Sequence, residues 1–288
     1  MIYILLFLLI VGLLILALGM FMVIGLVYIK KRPDISLEGY TSPYLDEEHS
    51  LSVREWLDSI KLEKMEIVSP YGYKLNAAVI EGKERKRWIF LLHGVTQNHK
   101  YMLDIASFYH KAGYSVIIWD SRGHGESGGR TTTYGLYEKF DLKAVLETLR
   151  KKYGDDIRIG LHGLSMGSGI LLQYASYVRD DCEFYISDCS FSYFPDQVTA
   201  VVGRKIRSKG LPVKVVFETG NLLCRILFRF DTKKIDIASK IHRLENPLLF
   251  FNCRDDDYIN PVMTKELHEA ARAGINEIIW YDEGGHGQ

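Results

Sequence analysis

Three features of this sequence suit acyl-transfer chemistry: a serine set between glycines, a late histidine set between glycines, and a run of aspartates ahead of that histidine. Gly163-Leu164-Ser165-Met166-Gly167 follows an apolar run and opens a helix-forming stretch. Glycines beside a serine let the chain turn sharply, so that the Ser165 hydroxyl projects from a strand's end into an open site as a nucleophile. The helix that follows offers its first amides to developing negative charge. Ile89-Phe90-Leu91-Leu92-His93-Gly94-Val95 reads as a second buried strand ending in a turn. Such a turn can aim the Val95 N–H at the same point as the Met166 N–H, and the pair would form an oxyanion hole. His93 is read as a structural turn residue whose backbone matters more than its imidazole.

A serine nucleophile needs a base, and the base needs an orienting acid. Of 9 histidines, His286 alone joins a glycine-flanked loop, Gly284-Gly285-His286-Gly287, to a position after the last strand-like run. Asp255, Asp256 and Asp257 follow the run before it. Three adjacent carboxylates cannot be told apart by their chemistry at this level. The cysteines Cys182, Cys189, Cys224 and Cys253 form no CxxC pair and no metal-binding cluster with histidine, so no metal or organic cofactor is implied. They are read as free, mostly buried thiols.

The elements that must position these residues follow from hydrophobic patterning. Strands are expected at Met65–Val68, Leu75–Ile80, Trp88–Leu92, Ser115–Trp119, Ile157–Leu161, Phe184–Ile186, Leu248–Asn252 and Glu277–Trp280. Helices are expected at about Lys100–Ala112, Tyr137–Tyr153, Met166–Val178 and Val262–Ala273. This alternation predicts an α/β fold, a mostly parallel eight-stranded sheet flanked by helices, opened by an antiparallel hairpin around Pro70-Tyr71-Gly72. Between Asp188 and Asn246 the alternation breaks over a stretch long and apolar enough to fold, read as an inserted cap at about 190–245.

Ahead of this domain, Met1–Tyr28 carries no charged side chain and is long enough to cross a bilayer. It reads as a retained transmembrane anchor (residues 1–29) rather than a core helix or a cleaved signal peptide, because the basic residues follow the apolar run instead of preceding it. A connector (30–63) with a short amphipathic helix at Leu51–Ile60 leads into the domain at 64–288. Lys30, Lys31 and Arg32 place the domain on the cytoplasmic side by the positive-inside rule, with the extracellular face as the alternative. Lysine plus arginine (36) balances aspartate plus glutamate (36), which argues against a nucleic-acid partner.

From about Met65 onward the chain resembles the α/β-hydrolase superfamily, in particular bacterial membrane-anchored serine hydrolases of the serine aminopeptidase-like and acyl-esterase-like group. The matching residues are Leu92-His93-Gly94, Asp120 to Ser127 (DSRGHGES), Gly163 to Gly167, Asp188-Cys189, Cys253 to Ile259 and Gly285-His286-Gly287. In that family the acid stands three residues before a Val or Ile; Ile259 fills that place here, and the resemblance therefore implies Asp256. It also implies that Asp120 and Arg122 tie their loop together rather than act on substrate. Asn252-Cys253 departs from the family's His-Gly before the acid. Relatives continue past the histidine into a last helix, for which Gln288 leaves no room.

The expected activity is hydrolysis of a carboxylic ester, with a lipophilic acyl ester favoured, through an acyl-enzyme on Ser165. Peptidase or thioesterase chemistry on the same triad is the alternative, and a membrane-tethered binding protein that keeps the fold is another. Expected partners are a small-molecule or lipid-like ester and the membrane. In the cap, Arg204, Lys205, Arg207, Lys209, Lys214, Arg225, Arg229, Lys233 and Lys234 outnumber Glu218 and Asp231 beside an apolar stripe, as suits an anionic bilayer surface or, equally, a solvated face over a lid core.

Overall fold

Trp88, Phe90 and Leu92 face one side of a strand and Ile89 and Leu91 the other, and all five are buried. A strand apolar on both faces belongs in the middle of a sheet covered on both sides. In the computed structural model, which describes residues 1–30, 32–206 and 210–287, that is where it lies. The strands are β1 (Glu63–Val68), β2 (Lys74–Ile80), β3 (Glu84–Leu92), β4 (Tyr114–Trp119), β5 (Arg158–Leu164), β6 (Phe184–Asp188), β7 (Leu248–Cys253) and β8 (Asn276–Tyr281). They form one 8-stranded sheet in the order β1-β2-β4-β3-β5-β6-β7-β8. β1 and β2 pair antiparallel, as do β2 and β4, and the rest pair parallel.

The helices are α1 (Ile2–Val27), α2 (Glu47–Ser59), α3 (Leu103–Lys111), α4 (Glu138–Tyr153), α5 (Met166–Tyr177), α6 (Phe194–Ile206), α7 (Val213–Phe228) and α8 (Pro261–Ala270). α4 and α5 cover one face of the sheet with Leu142, Leu146, Ile170 and Leu171, while α2 and α3 cover the other with Val53, Trp56, Leu103 and Ala106. The helix expected from Lys100 starts as a 3-10 turn at His99–Met102 before α3. Between β6 and β7 the chain folds into α6 and α7. Lys31, Arg207 and Lys209, among the basic residues noted above, and Gln288 lie outside the described residues.

α1 is apolar on every side, and up to Leu18 most of its residues are exposed. It is the one helix among the described residues long and apolar enough to cross a membrane. Its last turns behave differently: Met22, Val23 and Val27 are buried in the main core. A helix leaves its last carbonyls unpaired, and here the Leu26 carbonyl accepts from the Tyr134 hydroxyl (3.1 Å) and the Val27 carbonyl from the Thr132 N–H (3.1 Å). The chain from Arg32 to Ser42 continues along the domain. Lys100 pairs with Asp34 at 2.7 Å, the Tyr101 hydroxyl donates to the Pro33 carbonyl, and Tyr40 is fully buried.

One buried carboxylate links the β1–β2 hairpin to α4 and makes stability depend on pH. Asp141 accepts from the Ser69 hydroxyl at 2.5 Å and from the Tyr73 hydroxyl. Burial pushes its carboxyl up to about 6, the two hydroxyls only partly offsetting this. The folded state thus keeps a proton that the unfolded chain releases near pH 4. Stability is therefore expected to fall as pH rises from about 4 to about 6 and to level off above that. In Asp141→Asn that descending limb should be absent, with stability at pH 7 raised by on the order of 1 kcal/mol. Urea unfolding followed between pH 4 and 7.5 checks this; identical pH profiles for the two proteins would refute it.

Candidate active site

Ser165 joins β5 to α5 with φ 55° and ψ −111°, a conformation that few non-glycine residues adopt. Tight packing around the turn imposes it. A Cβ at residue 167 would lie 2.1 Å from the Leu92 carbonyl oxygen, and one at residue 163 would lie 2.4 Å from the Gly167 carbonyl carbon, so only glycine fits at either place. The Ser165 N–H donates to the Asp188 carbonyl (2.8 Å), and the Ser168 hydroxyl donates to the same oxygen (2.8 Å). The turn is thereby stitched to the end of β6.

His286 comes from the loop after β8. Its Nε2 lies 2.9 Å from Ser165 Oγ, and its Nδ1 lies 2.8 Å from Asp256 Oδ2. Asp256, whose side chain has no exposed surface, points its other oxygen at the Tyr258 and Ile259 N–H groups, each at 2.9 Å. These bonds fix the carboxylate and leave one oxygen for the imidazole. The neighbouring aspartates do other things. Asp255 accepts from the Gly285 N–H (2.9 Å) and so braces the histidine loop, while Asp257 is exposed and its carbonyl accepts from Arg204 (2.8 Å). Of the three carboxylates the sequence leaves open, the structure brings Asp256 to the histidine. Arg204, read in the sequence as part of a basic face toward either a bilayer or solvent, also bonds the Tyr258 carbonyl (3.3 Å) and steadies the Asp256 loop.

Val95 and Met166 line a cavity of about 180 Å³ together with Ser165. Gly94 and Gln97 close the turn that carries Val95: the Gly94 N–H donates to the Gln97 side-chain oxygen (2.8 Å), with Thr96 at φ 72° between them. His93 is wholly buried; its Nε2 accepts from the Ser121 N–H (3.0 Å), which leaves Nδ1 to donate to the Gly94 carbonyl (2.7 Å). Burial, helped by the nearby His124, lowers its pKa to about 3, so it stays neutral and holds the turn. Asp120 is likewise buried. Burial alone would raise its carboxyl, but the His99 ring and further donors, including the Glu126 N–H (2.8 Å), outweigh this and hold it well below the usual range. Arg122 lies over the rings of Tyr71, Tyr73 and Tyr137.

Cys189 offers its sulfur within 4.8 Å of ligand atoms of Asp256 and His286. A metal would need the thiolate, and burial together with the adjacent Asp188 carboxylate pushes that thiol far above its ordinary range. The grouping is better explained by the imidazole–carboxylate pair. Cys182, Cys189, Cys224 and Cys253 are all buried and outside any disulfide.

The rest of the cavity wall is mostly apolar, with Gln197 and Lys205 among its polar members, and comes from segments that do not stand out in the sequence as site-forming. Phe191, Phe194 and Val198 descend from the start of the β6–β7 stretch, Tyr134 from the loop before α4, and Leu18, Phe21, Met22 and Leu26 from α1. A uniformly apolar helix has no pattern that marks a pocket-facing side, so no sequence signal could have identified these α1 residues.

Residues 83–206 match the family described as "Serine aminopeptidase, S33". The chain is similar to the "Uncharacterized protein YqkD" of Bacillus subtilis, 32% identical over 262 residues that cover 91% of this chain and 83% of that one. It is 26% identical to an "Uncharacterized membrane protein" of Saccharomyces cerevisiae over 79% of this chain and 74% of that one. Among solved structures it resembles the Pyrococcus furiosus esterase Pf2001, with a TM-score of 0.65 and 23% identity over 90% of this chain and 91% of the esterase.

Proposed function

Because the chain belongs to the α/β-hydrolase superfamily, we propose that it is a membrane-anchored serine hydrolase that cleaves carboxylic esters of lipophilic acids through an acyl-enzyme on Ser165. The observation that carries this reading is the continuous relay from Ser165 Oγ through both His286 nitrogens to Asp256, at 2.9 Å and 2.8 Å. His286 takes the Ser165 proton as Oγ bonds to the ester carbonyl carbon, and the N–H groups of Val95 and Met166 receive the oxyanion. Collapse breaks the ester C–O bond, and the alcohol leaves with the proton held on His286. Water then attacks the acyl carbon with His286 again as base. The free acid departs, and Ser165 Oγ regains its proton. Asp256 keeps the imidazole in the tautomer with its proton on Nδ1 and stabilises the charged ring.

The cavity supports an ester over a peptide. An aminopeptidase must pair a substrate's protonated α-amino group, and among the described residues lining the cavity there is no carboxylate, whereas Lys205 is present. An apolar acyl chain meets Phe191, Phe194 and Val198 without loss. The match to the serine aminopeptidase family keeps the amide reading as the second one.

A fluorophosphonate probe tests the proposal, because only an activated serine reacts readily. Covalent adduct on the Ser165 peptide, seen by mass spectrometry and blocked by heat denaturation, is the expected result. Folded protein that takes up no probe at Ser165 would favour a tethered binding role. Leucine p-nitroanilide cleaved faster than p-nitrophenyl butyrate would favour the peptidase.

A further inference from the structure

α1 does more than lead into the domain: its last turns line the cavity that holds the candidate nucleophile. Leu18, Phe21, Met22, Gly25 and Leu26 line the same cavity as Ser165, together with Val198 and Val202 of α6. The contact with the domain is close. A Cβ at residue 220 of α7 would lie 2.2 Å from the Met22 methyl group, and one at residue 19 would lie 2.9 Å from Thr219 Cγ2. Small residues at a crossing let two helix backbones approach, as in packing within membranes. The bonds from Thr132 and Tyr134 to the last α1 carbonyls secure the far side, and the Arg32 N–H donates to the Thr96 carbonyl (2.8 Å), beside Val95.

The character of α1 then relates the cavity to the bilayer. Its exposed part and the turns that line the cavity form one uninterrupted apolar helix, with no charged residue to mark a boundary between them. A bilayer's apolar layer, about 30 Å thick, that takes up the exposed part of such a helix can extend to the cavity. The neighbouring surface suits that depth: Phe21 is 70% exposed, and α7 turns Val215, Leu222 and Ile226 outward along one stripe, with Lys205, Lys214 and Arg229 exposed nearby in the chain. Basic side chains at such a boundary fit an anionic headgroup layer.

We propose that α1 is the membrane-side wall of the acyl pocket, so that the hydrolase takes long-chain acyl esters dissolved in the bilayer, the acyl chain passing along α1 to Ser165. This rests on the serine-hydrolase reading above. The wall deepens the pocket and sets chain-length preference; a water-soluble short ester gains nothing from it.

α1 itself provides a matched pair of test positions. A Cβ added at Gly25 or at Gly12 meets no atom within 4 Å, but Gly25 lines the cavity while Gly12 lies on the outer part of the helix. Full-length wild type, Gly25→Leu and Gly12→Leu, each in lipid nanodiscs, are assayed with p-nitrophenyl acetate and p-nitrophenyl palmitate. Wild type should favour palmitate. Gly25→Leu should lower the palmitate-to-acetate ratio of kcat/KM about ten-fold or more, while Gly12→Leu keeps the wild-type ratio. If wild type cleaves both esters and Gly25→Leu leaves the ratio unchanged, or Gly12→Leu lowers it equally, the wall assignment is wrong although the hydrolase reading stands. If wild type cleaves neither ester, the hydrolase reading fails and this inference goes with it.

Discussion

Full-length protein carrying Ser165→Ala is expected to hydrolyse p-nitrophenyl butyrate with kcat at least about 10⁴-fold below wild type, because serine and histidine act as one unit and removing either abolishes the covalent route. The fold should survive. Ser165 Oγ bonds His286 at 2.9 Å, while the turn itself is held by the backbone bond from Ser165 to Asp188 and by the glycines at 163 and 167. Alanine retains the backbone N–H and the same Cβ, so thermal unfolding should stay within a few degrees of wild type. Initial rates on both proteins, with matched melting curves, give the answer. A variant that keeps more than a tenth of wild-type turnover would mean that Ser165 is not the nucleophile, whatever its position.

Asp256→Asn should cost about 10³- to 10⁴-fold in kcat while leaving KM nearly unchanged. Asparagine can still accept from the Tyr258 and Ile259 N–H groups through its Oδ1. Its amide nitrogen then faces His286 Nδ1, where the carboxylate oxygen stood at 2.8 Å. Two donors cannot share that contact, so the imidazole moves its proton to Nε2 and can no longer accept from Ser165. Asp255→Ala provides the contrast. It removes one exposed hydrogen bond to Gly285, at 2.9 Å, and a loss of less than about ten-fold is expected. Steady-state kinetics on the two variants separates the roles; equal losses in both would contradict the assignment of Asp256 as the orienting acid.

Much of the fold is legible in the order of residues alone, because buried parallel strands are written as short apolar runs and their covering helices as amphipathic ones. All eight strands lie within a few residues of where the pattern puts them, and the serine stands at the turn after β5, where Gly163 and Gly167 announce a sharp corner. Ser165 and His286 are legible as a pair by residue type, glycine flanks and chain order, although they are 121 residues apart. The remaining assignments depend on distance, which a linear pattern does not carry.

Asp255, Asp256 and Asp257 are chemically identical neighbours. Only the turn after β7 sends the middle one inward to the imidazole, the first to Gly285 and the last to solvent. Arg204 shows the same limit: it is exposed, as its charge suggests, yet its bonds to the Asp257 and Tyr258 carbonyls also make it a brace. By itself the sequence determined the sheet, the apolar N-terminal helix and the kinds of residue available for catalysis, because periodicity and turn chemistry are local. Residue chemistry alone left three carboxylates open and the family resemblance pointed to Asp256; the tertiary structure brings that carboxylate to His286 and shows that α1 runs along the cavity. A helix apolar on all sides reads the same whether it faces lipid, core or a substrate, and only its neighbours make the difference.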